Sequence, residues 1–136
     1  MKSKVAVLKT SPGSVVEDMG RAMELADYRS FLPGGLSTVL KINISWHYYY
    51  PGCSTTPWQF EGVVKRLTED GYGELIPAQN RTVVVNPKLG ATNNHLVSVL
   101  RKYDLEFLYL YEPGVDWTTY QPCLLYTSPS PRDRQK

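Results

Sequence analysis

The chain has 136 residues, 42% of them hydrophobic, which suits one domain with a real core. Its formal charge of +2 makes no case for nucleic acid, and no apolar run approaches the roughly 18 residues that a membrane-spanning helix needs. Two cysteines, Cys53 and Cys123, make neither a disulfide framework nor a metal cluster.

Met1-Lys2-Ser3-Lys4 begins basic, but the apolar run after it is short and interrupted by Lys9. That is too polar for a secretory core, so the expected compartment is cytoplasmic. "VAVLKT" (5–10) is a β-branched apolar run with the character of a strand buried on both faces. Ser11-Pro12-Gly13 breaks it, and Ser14 with Glu17 three residues on reads as a capping box. Val15, Met19, Ala22, Met23 and Ala26 then repeat at helical spacing, predicting a helix to about Tyr28.

After the turn at Pro33-Gly34-Gly35, "STVLKINIS" (37–45) reads as a second strand. Thr56, Pro57 and Gln59 form a second helix start, with Thr at N-cap, Pro at N1 and Gln at N3. Phe60, Val63, Val64 and Leu67 give that helix its apolar stripe, and Gly71 suits the left-handed position that ends it. "GELIPAQ" (73–79) and "RTVVVN" (81–86) read as short strands, and 87–90 as a loop. Thr92 or Asn93 opens a third helix striped by Leu96, Val99, Leu100 and Tyr103, before a last strand, "LEFLYLYE" (105–112). This β-α-β-α-β-β-α-β order predicts an α/β fold, a mostly parallel sheet with flanking helices.

Residues 123–136, "CLLYTSPSPRDRQK", change abruptly to Ser, Pro and Arg, the composition of a disordered tail. Residues 123–133 match a one-frame translation of a transposase adapter used in preparing sequencing libraries. The expected native part is therefore residues 1–122, a partial domain truncated at its C-terminus, and 123–136 a non-native tail. Without Arg132, Asp133, Arg134 and Lys136 the 15 basic and 13 acidic residues become 12 and 12, so the basic excess disappears. Cys53 is then a lone thiol without a local base.

In open parallel sheets ligands collect at the carboxyl ends of strands, where loops lead into helix N-termini. The loop "NISWHYYYPGCSTT" (43–56) is the richest such place. Thr55 and Thr56 precede a helix whose free N–H groups suit an anion, and Lys41 and Asn43 end the strand that feeds it. These four are the expected ligand residues, for a small metabolite bearing a carboxylate or phosphate. His47, in the same loop, is the candidate general base, with metal ligation as its other possible role. Thr56 caps its helix whatever the function, and Trp46, Tyr48, Tyr49, Tyr50 and Trp58 could simply cover a sheet edge or present a surface to a partner. His95 reads as an exposed residue in the first turn of the third helix. "SPGS" lacks the spacing of a nucleotide loop. No zinc or iron–sulfur pattern occurs in 1–122, and no cofactor is named by the sequence.

"KVAVLKT", "VLKINISW" and "TTPWQFEGVVKRLTEDGY" together resemble the DUF362 family of uncharacterised α/β proteins. The shared pattern is Lys41 and Asn43 at a strand end, a variable loop, Thr55-Thr56-Pro57 at a helix start, and Gly71 at its end. Position 42 is Ile where many members have Pro. The resemblance implies an α/β fold, a longer parent protein, and a site near that strand end, with the reaction left open. Some members carry ferredoxin-type cysteines, which residues 1–122 do not. The expected function is binding of a small anionic ligand, and the alternative is a non-catalytic module with an aromatic partner surface.

Overall fold

A computed structural model describes residues 4–118. The tail expected at 123–136 lies outside the described residues, as does Cys123. The order is α1 (Val15–Leu25), a 3-10 turn (Tyr28–Ser30), β1 (Thr38–Lys41), α2 (Pro57–Glu69), β2 (Leu75–Gln79), α3 (Pro87–Asn93), α4 (Leu96–Lys102) and β3 (Leu108–Tyr109). The strands form one parallel sheet in the order β1-β2-β3. The α/β class is therefore observed, with helical crossovers between parallel neighbours, as parallel pairing requires.

Register decides which sheet face is buried. Thr38 pairs with Leu75 and Leu40 with Pro77, and side chains alternate across each strand. That face meets Phe60, Val64 and Leu67 of α2 and Leu96, Val99 and Leu100 of α4, with Ile42, Ile44, Val85 and Ala91 completing the core. The opposite face carries Val39 and Lys41, both exposed.

Helix α2 starts and stops as its sequence dictates. The Gln59 amide donates to Thr56 Oγ1 at 3.4 Å, and the Thr56 amide donates to Gln59 Oε1 at 3.2 Å, closing the capping box. At the other end Gly71 has φ of 72°, Tyr72 N–H donates to Leu67 O at 3.0 Å, and Gly71 N–H to Thr68 O at 3.1 Å. This pair of bonds is the Schellman closure that a glycine at C′ permits.

Helix α1 forms without its expected capping box. The Ser14 hydroxyl donates to Asp18 Oδ2 at 2.7 Å instead, joined there by the Thr10 hydroxyl at 2.9 Å, while Arg21 Nη1 donates to Oδ1 at 2.9 Å. Asp18 is buried, and a carboxylate withdrawn from water needs such donors more than an exposed helix amide needs a cap. Ser14 first, then Thr10, hold its carboxyl below the ordinary aspartate range. A group lowered from its unfolded value of about 3.9 stabilises the fold fully above that pH and loses its contribution as pH falls through the folded value. Asp18→Asn is accordingly expected to flatten the acid limb of stability measured by urea titration below about pH 4. An acid limb identical to that of the parent chain would contradict the role given to this carboxylate.

Several expected elements are absent or shifted. Residues 5–10 form no strand, and Val5 and Val7 are 81% and 86% exposed. A β-branched run becomes a strand only when a neighbour takes its backbone hydrogen bonds, and among the described residues none does. Residues 81–86 likewise form no strand, with Val83 fully exposed; only Val85 enters the core. The second strand stops at Lys41, and the last shrinks to Leu108–Tyr109. The third helix is two helices. Asn86 caps the first, its Oδ1 accepting from Leu89 N–H at 3.1 Å with Pro87 at N1, and a residue with φ of 59°, His95, separates it from the second. His95 is therefore the N-cap of α4 rather than a first-turn residue, and the observed order is α-β-α-β-α-α-β.

Candidate functional site

Lys41 ends β1, Thr55 precedes α2, and both line a cavity of about 350 Å³ with Val39, Phe60 and Val63. Lys41 Nζ donates to the Ile42 carbonyl oxygen and to Gln79 Oε1, both at 2.5 Å. Gln79 is buried at the end of β2, one residue past Ala78, the register partner of Lys41. Both acceptors are neutral, and among the described residues no carboxylate lies within ion-pair distance of this ammonium. Desolvation holds its pKa below the usual lysine value. The site thus presents a cation whose charge is solvated by dipoles but matched by no anion.

Asn43 and Thr55 close the loop between them. Asn43 N–H donates to Thr55 Oγ1 at 3.0 Å, and Thr55 N–H returns to the Asn43 carbonyl at 2.8 Å. The Asn43 side chain spans inward, Nδ2 to Cys53 O at 3.2 Å and Oδ1 accepting from Ser45 Oγ at 3.2 Å. Such pinned ends define a compact Ω-type loop, so Asn43 serves its geometry. The Thr55 hydroxyl accepts from Asn43 and keeps its own hydrogen to donate.

Thr56 is buried and committed to its cap. Its amide and that of Gln59 are both taken by the capping box, and Pro57 has no N–H. In the first turn only Trp58 N–H is left for a ligand, fewer donors than an uncapped helix start offers. The weight of any anion site therefore falls on Lys41 and the Thr55 hydroxyl.

His47 is placed elsewhere. Its carbonyl accepts from Asn93 Nδ2 at 2.7 Å, and its Cα lies 3.5 Å from where a Cβ on Gly90 would stand. The ring stacks on Trp46 at 4.9 Å and meets Tyr48 at 4.6 Å, and its Nδ1 is shielded from solvent without a partner among the described residues. Lys41, Asn43, Thr55 and Thr56 are thus gathered at the β1–α2 junction, whereas the His47 backbone lies against α3 and the residue is not in the lining of that cavity.

No family model, curated protein or solved structure matches this chain. Its site is read from its own residues. Two of those residues were not expected from the sequence. Gln79 orients Lys41, a pairing visible only once the β1–β2 register is known. Asn94, 1% exposed, holds the aromatic loop: Nδ2 donates to Trp46 O at 3.2 Å and Gly90 O at 2.9 Å, and Oδ1 accepts from Tyr50 N–H at 3.4 Å. Arg81, just past β2, also has no ion-pair partner among the described residues, and its guanidinium lies 5.9 Å from the Tyr111 ring centroid. No helix among the described residues is long and apolar enough to cross a membrane.

Proposed function

We propose that this chain is part of a DUF362-type α/β protein that binds a small metabolite through a carboxylate or phosphate at the β1–α2 junction. The observation that carries the reading is the Lys41 ammonium, held by the neutral Ile42 and Gln79 oxygens at the mouth of a cavity. Lys41 is exposed enough for an anion to reach it, and an ammonium held in place by neutral oxygens forms a charge-assisted hydrogen bond with an incoming anion. The Thr55 hydroxyl and Trp58 N–H supply directional donors beside it, and Phe60 and Val63 accept the apolar part of the ligand. A proton-transfer role for His47 would require the loop to bring the imidazole to that cavity; in the arrangement described, binding is the better supported half of the reading.

The test is a thermal-shift series on the full chain with inorganic phosphate, small dicarboxylates and matched neutral amides. Anions are expected to raise the unfolding midpoint while the amides do not, and Lys41→Met is expected to abolish the rise and leave the ligand-free midpoint within a few degrees. Equal stabilisation of the Lys41→Met protein by anions would overturn the assignment. The second reading, a binding module without chemistry, draws on the exposed rings of Trp46, Tyr48 and Tyr50. Under that reading, alanine at Tyr48 and Tyr50 removes partner binding and leaves the anion response intact.

A further inference from the structure

A cavity of about 690 Å³ lies at the opposite end of the sheet from Lys41. Its origin is in the strand pairing. β2 and β3 meet only at Ala78–Leu108 and Gln79–Tyr109, so residues 75–77 and 105–107, one step upstream, are unpaired with each other. Pro77 has no N–H to extend the ladder, and the chain leaves α4 through a left-handed turn at Asp104, φ 52°. The groove that results has an apolar floor of Leu75, Ile76, Leu105 and Phe107.

Its rim is Glu74, Asp104 and Glu106, and among the described residues no lysine or arginine lines it. Seven of the twelve described carboxylates have a basic partner within 4 Å, and the five that do not include all three of these. Glu74 is oriented by the Ser37 hydroxyl, which donates to its Oε2 at 2.8 Å. Tyr103 is also in the lining, and burial raises its phenol above the ordinary tyrosine value. The nearby Lys102 is turned to Glu61.

We propose that this groove binds a small amphipathic amine, its apolar body on the floor and its ammonium or guanidinium held by Glu74, Asp104 and Glu106. The volume falls within the range of small-molecule sites, which combine an apolar lining with a few converging polar groups. Three carboxylates without a basic partner, around one cavity of mixed apolar and polar lining, favour a cation by mutual repulsion as well as by attraction. The site is independent of the anion site, so either can fail without the other.

Phenethylamine and phenylpropionate, similar in size and opposite in charge, are the probes. Each is titrated into the full chain while amide shifts of Leu75, Leu105 and Phe107 are followed by NMR. The amine is expected to bind saturably and at least about tenfold more tightly than the acid, with affinity falling as salt rises. The triple substitution Glu74→Gln, Asp104→Asn, Glu106→Gln is expected to weaken the amine about tenfold, a loss that circular dichroism must show is not unfolding. Equal affinity for the two probes, an undiminished amine affinity in the triple variant, or no saturation by tens of millimolar amine would each overturn the assignment.

Discussion

Replacing Gly62 by valine is expected to destabilise the fold by about 3 kcal/mol, read as a lowered urea midpoint at unchanged slope. A Cβ at this position would stand 2.5 Å from Met19 Cβ and 2.7 Å from the Val16 carbonyl oxygen, so α1 and α2 touch backbone to backbone there. Neither atom is the end of a flexible side chain, and the helices must move apart. Removing a glycine from a helix interior returns at most about 1 kcal/mol of propensity, which does not offset the separation. Gly20→Ala is the matched control. Its Cβ meets only the Arg66 side chain, with Cβ and Cγ at ordinary contact distances and Cδ at 3.2 Å, which needs to give by a few tenths of an ångström, so a neutral or slightly stabilising effect is expected. If both variants unfold at the same urea concentration, the close contact at Gly62 does not set the α1–α2 spacing.

Asn94→Leu is expected to cost a similar amount, about 3 kcal/mol, and to loosen the aromatic loop. The substitution keeps the branched shape but adds bulk at a buried position and leaves the part-buried Trp46 carbonyl and Tyr50 N–H without their partner, at about 1 kcal/mol or more for each polar group left unsatisfied. Loop and core are joined at this point, since Gly90 and Ile44 pack so closely that a Cβ on Gly90 would fall 2.4 Å from Ile44 Cγ2. Urea titration gives the stability, and acrylamide quenching of tryptophan fluorescence gives the loosening. Full retention of stability would show that water replaces the asparagine at no cost.

The sequence was most legible where a residue acts within its own turn. Thr56, Pro57 and Gln59 start α2 and Gly71 ends it, because capping involves only neighbours three to five residues apart. Asn86-Pro87 carries the same kind of start signal as Thr56-Pro57, and it opens the helix at Pro87, five or six residues before the expected start at Thr92 or Asn93. Strands were less legible, since Val5, Val7, Val83 and Val84 have strong β propensity but propensity supplies no partner strand. At the site, Lys41 and Thr55 were legible as a strand end and a helix start. Gln79 was not, because its bond to Lys41 depends on the β1–β2 register across 38 residues of chain. Asn94 was hidden for a different reason: nothing in an Asn-Asn pair says which one turns inward.

The most direct measurement of anion binding at Lys41 is an NMR titration of the full chain with inorganic phosphate. Shift changes are expected to concentrate at the Lys41 side chain and at the Thr55 and Trp58 amides, saturating with one dissociation constant, and to vanish in Lys41→Met. Changes centred on Arg81 and Lys88, or a response undiminished in Lys41→Met, would contradict the placement of the ligand at the β1–α2 junction.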